Sequence, residues 1–202
     1  MIRLVDGPMT WVATGDSITQ GVLHTHGARG WVEHLQERVR WQLGRLTDTV
    51  VNSGVSAWGA VDVLAAHDRL IGRFEPDVLS VSLGTNDCLA GEEGLPEFHD
   101  AMRRIVSGAG PRTQVVLQTP ALVGVSGRER RAALPAYCQA VRDIAQDTGS
   151  LLVDHEAHWR EHHGEADPIP WLDDPVHPNA VGHLRMANHT LDALGLGPLD
   201  PL

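Results

Sequence analysis

A serine follows directly on a short apolar run near the start of the chain, in the segment TWVATGDSITQG at residues 10–21. The run Trp11-Val12-Ala13 leads into Gly15-Asp16-Ser17, which are residue types that favour a turn. Strands commonly end in such turns, so Ser17 alone is compatible with a purely structural role. A serine hydroxyl becomes a nucleophile when a base removes its proton and a third group orients the base. The rest of the sequence must therefore supply a base and a carboxylate.

A histidine and a carboxylate with suitable spacing occur near the other end of the chain, in the segment WLDDPVHPNAVGH. Asp174 precedes His177 by three residues, and two prolines restrict this turn. The spacing can bring the carboxylate to Nδ1 of the imidazole and leave Nε2 facing a serine, as in Ser-His-Asp sites. Asp173 is an alternative, but the three-residue spacing favours Asp174. Asn179 is a suitable cap for the helix expected to follow.

Acyl transfer also requires hydrogen-bond donors that face the oxygen on which negative charge develops. The segment NSGVSAWG offers the N–H of Gly54, where no Cβ prevents a close approach. The segment GTND offers the side-chain amide of Asn86. With the N–H of Ser17, these groups make three candidate donors from three loops.

The elements that must position these residues alternate between short apolar runs and longer amphipathic stretches. The apolar runs lack polar alternation, as strands covered on both faces do; they are Trp11–Thr14, Thr49–Asn52, Val78–Leu83, Val115–Thr119 and Leu151–Asp154. Helical spacing relates the apolar residues between and after them: Trp31, Leu35, Val39 and Leu43; Val61, Leu64 and Ala65; Phe98, Met102, Ile105 and Val106; Tyr137, Val141, Ile144 and Ala145; and Val181, Leu184, Ala187, Leu191 and Leu194.

This alternation predicts parallel strands with right-handed crossovers, hence one three-layer α/β/α domain over residues 1–202. In such sheets the ligand site lies beyond the carboxyl ends of the strands. The loops after the five runs carry GDS, SGVSAWG, GTNDC, PALVG and HEAH. We therefore expect Ser17, Gly54 and Asn86 at the same edge of the sheet.

Four motifs in this order, GDSIT, NSGVSAWG, GTND and DPVHPN, resemble those of the SGNH hydrolase family, also called GDSL-type esterases and lipases. The resemblance runs from the first strand to the last helix, and its one mild departure is GDSIT in place of GDSL. It implies an α/β fold with a flavodoxin-like five-stranded parallel sheet. It also implies Ser17 as nucleophile, His177 as base and Asp174 as its orienter, with an oxyanion hole formed by Ser17, Gly54 and Asn86.

Other residues near these motifs are open to two interpretations. Trp58, Leu89, Trp171 and Val176 either line a substrate pocket or pack in the ordinary way. Asp16 and Asp87 flank the site, and the favoured interpretation is that their carboxylates brace the turns.

The histidine-rich segment HEAHWREHHGE lacks the H-E-x-x-H pattern of zinc proteases. His158 and His162 have the spacing of two ligands on one helix face, but a solvated segment is the favoured interpretation. We expect neither a metal nor an organic cofactor.

Composition limits the possible partners. The net charge is −10, and all 16 basic residues are arginines, which argues against a nucleic acid or an anionic membrane as partner. Nothing resembles a signal peptide or a membrane span. Only two cysteines occur, so a disulfide framework is not expected, and we predict a cytoplasmic enzyme.

The sequence thus predicts a serine ester hydrolase that acts on a small ester, with a preference for short acyl chains. An acyltransferase that uses the same site is an alternative, and a non-catalytic anion-binding α/β domain is another. The natural substrate stays open among acetylated sugars, short-chain esters, lysophospholipids and thioesters, and so does the oligomeric state.

Overall fold

The computed structural model describes residues 1–200 and contains a five-stranded, fully parallel sheet. The strands are β1 (Thr10–Gly15), β2 (Thr49–Asn52), β3 (Val78–Ser82), β4 (Gln114–Gln118) and β5 (Leu151–Val153). Their order is β2-β1-β3-β4-β5, which is the flavodoxin-like order. The predicted fold is confirmed, and each predicted strand boundary lies within one residue of the observed one.

Helices connect the strands and follow the last one. They are α1 (Ser17–Gln20), α2 (Trp31–Gln36), α3 (Ala60–Ala65), α4 (His67–Leu70), α5 (Leu95–Gly108), α6 (Val125–Arg128), α7 (Leu134–Thr148), α8 (His155–His163) and α9 (Ala180–Leu194). A π-helical turn at Glu37–Gln42 extends α2, and 3₁₀ turns occur at Gly72–Phe74, Asp87–Ala90, Glu92–Gly94, Glu129–Arg131 and Ile169–Trp171.

The sheet separates two apolar cores. Side chains on a strand point alternately to opposite faces, and in β1 Trp11 and Ala13 enter one core while Val12 enters the other. The first core includes residues of α2, α8 and α9, and the second includes residues of α3, α5 and α7. This arrangement is the predicted three-layer sandwich.

The short helix α3 presents a different face to the core from the one predicted. Val61 is 44% exposed, whereas Ala60 and Val63 are buried. The start of the helix is fixed by a hydrogen bond from the Ala60 N–H to Asp87 Oδ1 (2.7 Å). A six-residue helix has too few apolar positions for their spacing to identify its buried face, so this tertiary contact decides it.

The long helix α9 is also rotated relative to its predicted stripe, because Val181 and Leu184 are exposed. Its buried face begins at Gly182, where a Cβ would collide with the carbonyl oxygen of Trp171. This close approach places the Gly182 side of the helix against the protein, so Val181 and Leu184 lie outside the buried face. Later positions of the predicted stripe are buried as expected: Ala187, Leu191 and Leu194.

The histidine-rich segment forms α8 and is not simply solvated, which corrects the sequence interpretation. His155 and Trp159 are fully buried. His155 Nε2–H donates to Gln118 Oε1 (2.7 Å), so its Nδ1 is left to accept from His189 Nδ1–H (3.2 Å). Burial holds the pKa of His155 well below its ordinary value, with a smaller contribution from His189, so both nitrogens serve as neutral hydrogen-bonding groups.

His183 joins α9 to α2 in the same neutral state. It is buried, and its Nδ1 accepts the backbone N–H of Trp31 (3.2 Å). Burial, with smaller contributions from His34, His177 and His24, lowers the pKa of His183 to about 4. A proton on Nδ1 would remove the acceptor for the Trp31 N–H, so the folded protein resists protonation of this ring.

We predict that His183→Gln makes unfolding less dependent on acid. A histidine with a folded pKa of about 4 and an unfolded pKa of 6.5 contributes stability above pH 6.5, and this contribution is lost as the pH falls towards 4. The contribution is on the order of 3 kcal/mol. Glutamine keeps an acceptor but does not titrate, so the loss of unfolding free energy between pH 7.5 and 4.5, measured with urea, should shrink. The control His99→Gln, on the partly exposed surface of α5, should retain the wild-type loss. An unchanged loss in His183→Gln would contradict the role given to His183.

Candidate active site

The nucleophile candidate lies at the carboxyl end of β1, where the chain turns directly into α1. Asp16 caps this helix by accepting the Ile18 N–H on Oδ1 (2.9 Å), and Ser17 is its first residue. Gly15 is required for the turn because a Cβ there would collide with the carbonyl oxygen of Ser82 in the neighbouring strand. The close packing of β1 on β3 therefore fixes where Ser17 points.

Ser17, His177 and Asp174 form a continuous hydrogen-bonded chain. His177 Nδ1 lies 2.8 Å from Asp174 Oδ2 and 3.0 Å from Oδ1, and a carboxylate only accepts, so Nδ1 carries the proton. His177 Nε2 is then free to accept the hydroxyl proton of Ser17, whose Oγ lies 2.9 Å away. This is the geometry in which an imidazole can deprotonate a serine.

A hydrogen-bonded loop holds the histidine and the carboxylate together. Asp174 Oδ1 accepts the backbone N–H groups of Val176 and His177, both at 2.7 Å. Burial opposes ionisation of this carboxyl, but these N–H groups and the His177 imidazole hold its pKa below the ordinary value. Asn179 caps α9, as predicted, and its amide donates to the Leu172 carbonyl (3.0 Å), which closes the loop.

The two further oxyanion-hole candidates lie on loops beside the serine turn. The Asn86 side-chain amide donates one N–H to the Trp58 carbonyl (3.0 Å), which leaves its other N–H available. The Gly54 N–H donates to Asn52 Oδ1 (3.0 Å), so it already has an acceptor. A Cβ on Gly54 would come within 2.5 Å of the Gln20 nitrogen, so glycine is also needed here for close packing on α1.

The four candidate pocket residues occupy different environments. Trp171 is 5% exposed and packs edge-on against Trp159 (ring centroids 5.0 Å apart), so it supports the site from the core. Trp58 and Val176 are partly buried and pack against the second core. Leu89 is exposed just beyond Asn86. Of the four, Leu89 is the side chain most available to a ligand.

Two carboxylates, Asp16 and Asp87, accept hydrogen bonds in the loops around Ser17, as the sequence predicts. Asp87 accepts the N–H groups of Ala60 (2.7 Å) and Gly84 (3.0 Å) and thereby links the loops after β2 and β3. Asp16 is buried, and this burial, together with the negative charge of Asp87, raises its pKa to about 6, although the Ile18 N–H opposes the rise. The site therefore holds an ionisable carboxyl directly beside its serine.

His24 is a site residue that the sequence analysis missed. Its ring is stacked on that of His177, with the centroids 3.8 Å apart and the planes 4° from parallel. Its Nδ1 lies 2.9 Å from Asp173 Oδ2, which explains why Asp173 is not the partner of His177. No local motif marks His24, because its partner is 149 positions away in the sequence.

Among residues 1–200, potential metal ligands converge in a group of three at His24, Asp174 and His177, and not along α8. His158 and His162 instead stack on His189 (4.2 Å) and Trp171 (4.4 Å). Within the same part of the chain, no helix has the length and apolar character needed to cross a membrane.

We predict that Asp16→Asn stabilises the folded protein at alkaline pH. The folded pKa of about 6 lies above the ordinary 3.8, so ionisation of Asp16 costs stability as the pH rises through 6. Asparagine keeps an oxygen to accept the Ile18 N–H and cannot ionise. The unfolding free energy at pH 8 should therefore rise by up to about 3 kcal/mol, with the gain disappearing below pH 4. Exposed Asp100→Asn serves as the control, and a variant less stable than wild type at pH 8 would contradict this assignment.

Comparisons with known proteins agree with this fold. A model of the GDSL-like lipase/acylhydrolase family matches residues 13–185. An acetylxylan esterase from Geobacillus stearothermophilus is 29% identical to this chain. The alignment covers 90% of this chain and 91% of the length of the esterase. The crystal structure of Axe2, an acetylxylan esterase from the same organism, superposes with a TM-score of 0.79 at 27% identity, covering 93% of this chain and 94% of that chain. LAE5, an α/β hydrolase enzyme from the metagenome of Lake Arreo, has a TM-score of 0.79 at 25% identity, covering 93% and 95%. The chain therefore belongs to the GDSL-like lipase/acylhydrolase family and is a carboxylic ester hydrolase.

Proposed function

We propose that this protein removes short acyl groups, above all acetyl, from hydroxyl groups by means of a Ser17–His177–Asp174 triad. The observation that carries the proposal is the unbroken hydrogen-bonded chain from Ser17 Oγ through the imidazole to the Asp174 carboxylate. A serine that served only as a turn residue would have no need of this chain.

The reaction proceeds through an acyl-enzyme. His177 Nε2 takes the proton of Ser17 while Oγ bonds to the acyl carbon, and the carbonyl electron pair moves onto oxygen. Asp174 stabilises the imidazolium, which then protonates the leaving alkoxide as the carbon–oxygen bond of the ester breaks. Water, deprotonated by His177, attacks the acyl-enzyme, and the Ser17 oxygen departs with the returned proton.

The developing oxyanion requires donors in the same place. The Ser17 N–H is the first of α1 and has no acceptor within the helix. The free N–H of the Asn86 amide is the second donor. The Gly54 N–H joins them if it turns from Asn52 Oδ1 towards the substrate.

Structures of the relative support these roles. Three of the Axe2 structures are of catalytic mutants, in which a serine, an aspartate or a histidine is replaced by alanine. The aspartate and histidine lie three positions apart in that enzyme, as Asp174 and His177 do here. We assign the corresponding roles to this chain.

The preference for small acyl groups on polar alcohols rests on the openness of the site and on the relatives. The side chains of His177 and Asp174 are 22% and 38% exposed, so this pair lies at the surface of the protein. An open site suits a hydrated leaving group such as a carbohydrate hydroxyl, and the two relatives from Geobacillus stearothermophilus are acetylxylan esterases. We therefore propose an acetylated carbohydrate as the substrate class.

The alternatives are less well supported. An acyltransferase must keep water from its acyl-enzyme, which an open site does not favour. An anion-binding domain has no use for a base hydrogen-bonded to a serine. We also propose a cytoplasmic location. Cys88 and Cys138 are buried and free.

We predict that Ser17→Ala abolishes hydrolysis of p-nitrophenyl esters, with a loss of roughly 10³-fold or more because the acyl-enzyme can no longer form. In the wild type, kcat/KM should be highest for the acetate and fall towards the palmitate. The control Ser126→Ala should keep the wild-type rate. Equal activity of Ser17→Ala and wild type would exclude Ser17 as nucleophile, and acetyl transfer to an added alcohol in preference to water would favour the acyltransferase.

We predict that Asn86→Ala lowers kcat by roughly 10²–10³-fold, because the tetrahedral intermediate loses one donor. The size-matched variant Asn86→Leu should lose as much, since it also lacks the amide. Asn188→Ala, which likewise loses a hydrogen bond to the backbone (Leu199 N–H, 3.2 Å) but on α9, provides the control. Thermal unfolding verifies that each variant is folded. A wild-type kcat in both Asn86 variants would remove Asn86 from the oxyanion hole.

A further inference from the structure

Two consecutive aspartates each hold an imidazole at this site. Asp174 accepts from His177 Nδ1, and Asp173 accepts from His24 Nδ1 at 2.9 Å. Asp173 also accepts from His26 Nε2 at 2.7 Å. These contacts attach the segment between α1 and α2 to the loop that carries the base.

The two imidazoles contact each other face to face. Their centroids are 3.8 Å apart and their planes differ by 4°, so the His24 ring covers one face of the His177 ring. Both Nδ1 atoms are directed towards the aspartate pair, since His24 Nδ1 is also 3.8 Å from Asp174 Oδ2. A tilt of the His177 ring towards His24 would therefore meet a ring that is itself tethered.

The segment that presents His24 has a defined conformation. Leu23 and His26, on either side of it, have φ angles of 68° and 49°, in the left-handed region that residues other than glycine rarely adopt. Thr25 is buried and donates from Oγ1 to the Gly21 carbonyl (3.1 Å). The conformation of this segment therefore determines where the His24 side chain lies.

The geometry of the cluster does not suit a metal ion, although His24, Asp174 and His177 supply potential ligands within 4.8 Å of one another. A metal binds imidazole nitrogen close to the plane of the ring, at about 2.0–2.1 Å for zinc. Two nearly parallel planes stacked face to face share no such point. Stacking, and not chelation, is thus the interaction that places His24 here.

We propose that His24 is a positioning residue for the general base. Held by Asp173, its flat ring supports the His177 imidazole in the plane that directs Nε2 at Ser17 Oγ, and it shields that face of the ring from solvent. This inference rests on the proposed role of His177. It assigns a purpose to Asp173, which the reaction itself does not use.

The test compares kcat and KM for p-nitrophenyl acetate among variants of His24 and a matched control. In His24→Ala the base loses its support, and kcat should fall about tenfold while KM changes by less than about twofold, since misplaced catalytic groups slow the chemical step. In His24→Phe a flat ring is retained, and most of kcat should return. The control His99→Ala replaces a histidine on α5, outside this cluster, and it should keep the wild-type kcat.

A second variant addresses the tether. Asp173→Asn keeps the His24 ring but weakens its hydrogen bond, so kcat should fall less than in His24→Ala, again with little change in KM. If His24→Ala does not fold, as judged by thermal unfolding, the kcat values of Asp173→Asn and His24→Phe still test whether His24 positions His177.

A wild-type kcat in folded His24→Ala, or a kcat in His24→Phe as low as in the alanine variant, would overturn the proposal. Failure of the proposed function gives a different result, because Ser17→Ala, measured alongside, would then be as active as the wild type.

Discussion

The orientation of one imidazole is the constraint on which the rest of the site depends, and the Asp174 carboxylate imposes it. The carboxylate accepts from the N–H groups of Val176 and His177 and from His177 Nδ1. The same group therefore shapes the loop and decides which ring nitrogen carries the proton. With the proton on Nδ1, Nε2 faces the Ser17 hydroxyl as an acceptor. A loop folded in another way would take this acceptor away from the Ser17 hydroxyl.

The sheet brings the two ends of this interaction together, since Ser17 and His177 are 160 positions apart in the sequence. β1 lies between β2 and β3, so the loops that follow these three strands meet around the serine. Two ionisable groups near the site are buried, which opposes the charged form of each. Asp16 is buried beside Ser17, and burial raises its pKa. Burial also lowers the pKa of His183, which joins α9 to α2. These groups link the stability of the active-site end of the molecule to pH.

The sequence predicted the parallel sheet and the Asp174–His177 contact, because continuous apolar runs and a three-residue spacing are local properties. The flavodoxin-like type of the sheet was implied by the family resemblance. It did not predict the buried faces of α3 and α9. In these helices, tertiary contacts override the apolar pattern. They are the hydrogen bond from the Ala60 N–H to Asp87 and the close approach of Gly182 to the Trp171 carbonyl. Buried polar residues were also missed. A pattern of apolar residues predicts that a histidine lies at the surface, whereas His155 is fully buried. His24 was missed because its place depends wholly on pairing with a distant loop.

The central claim is that Ser17 is the residue that becomes acylated, and covalent labelling tests it most directly. The chain has no lysine, and the tryptic peptide covering residues 4–29 contains a single serine, Ser17. After reaction with an organophosphonate that forms a stable serine adduct, mass spectrometry of the digest should find the adduct in this peptide, at Ser17, in step with the loss of activity. Full inactivation with the adduct on another peptide would contradict the claim and place the nucleophile elsewhere.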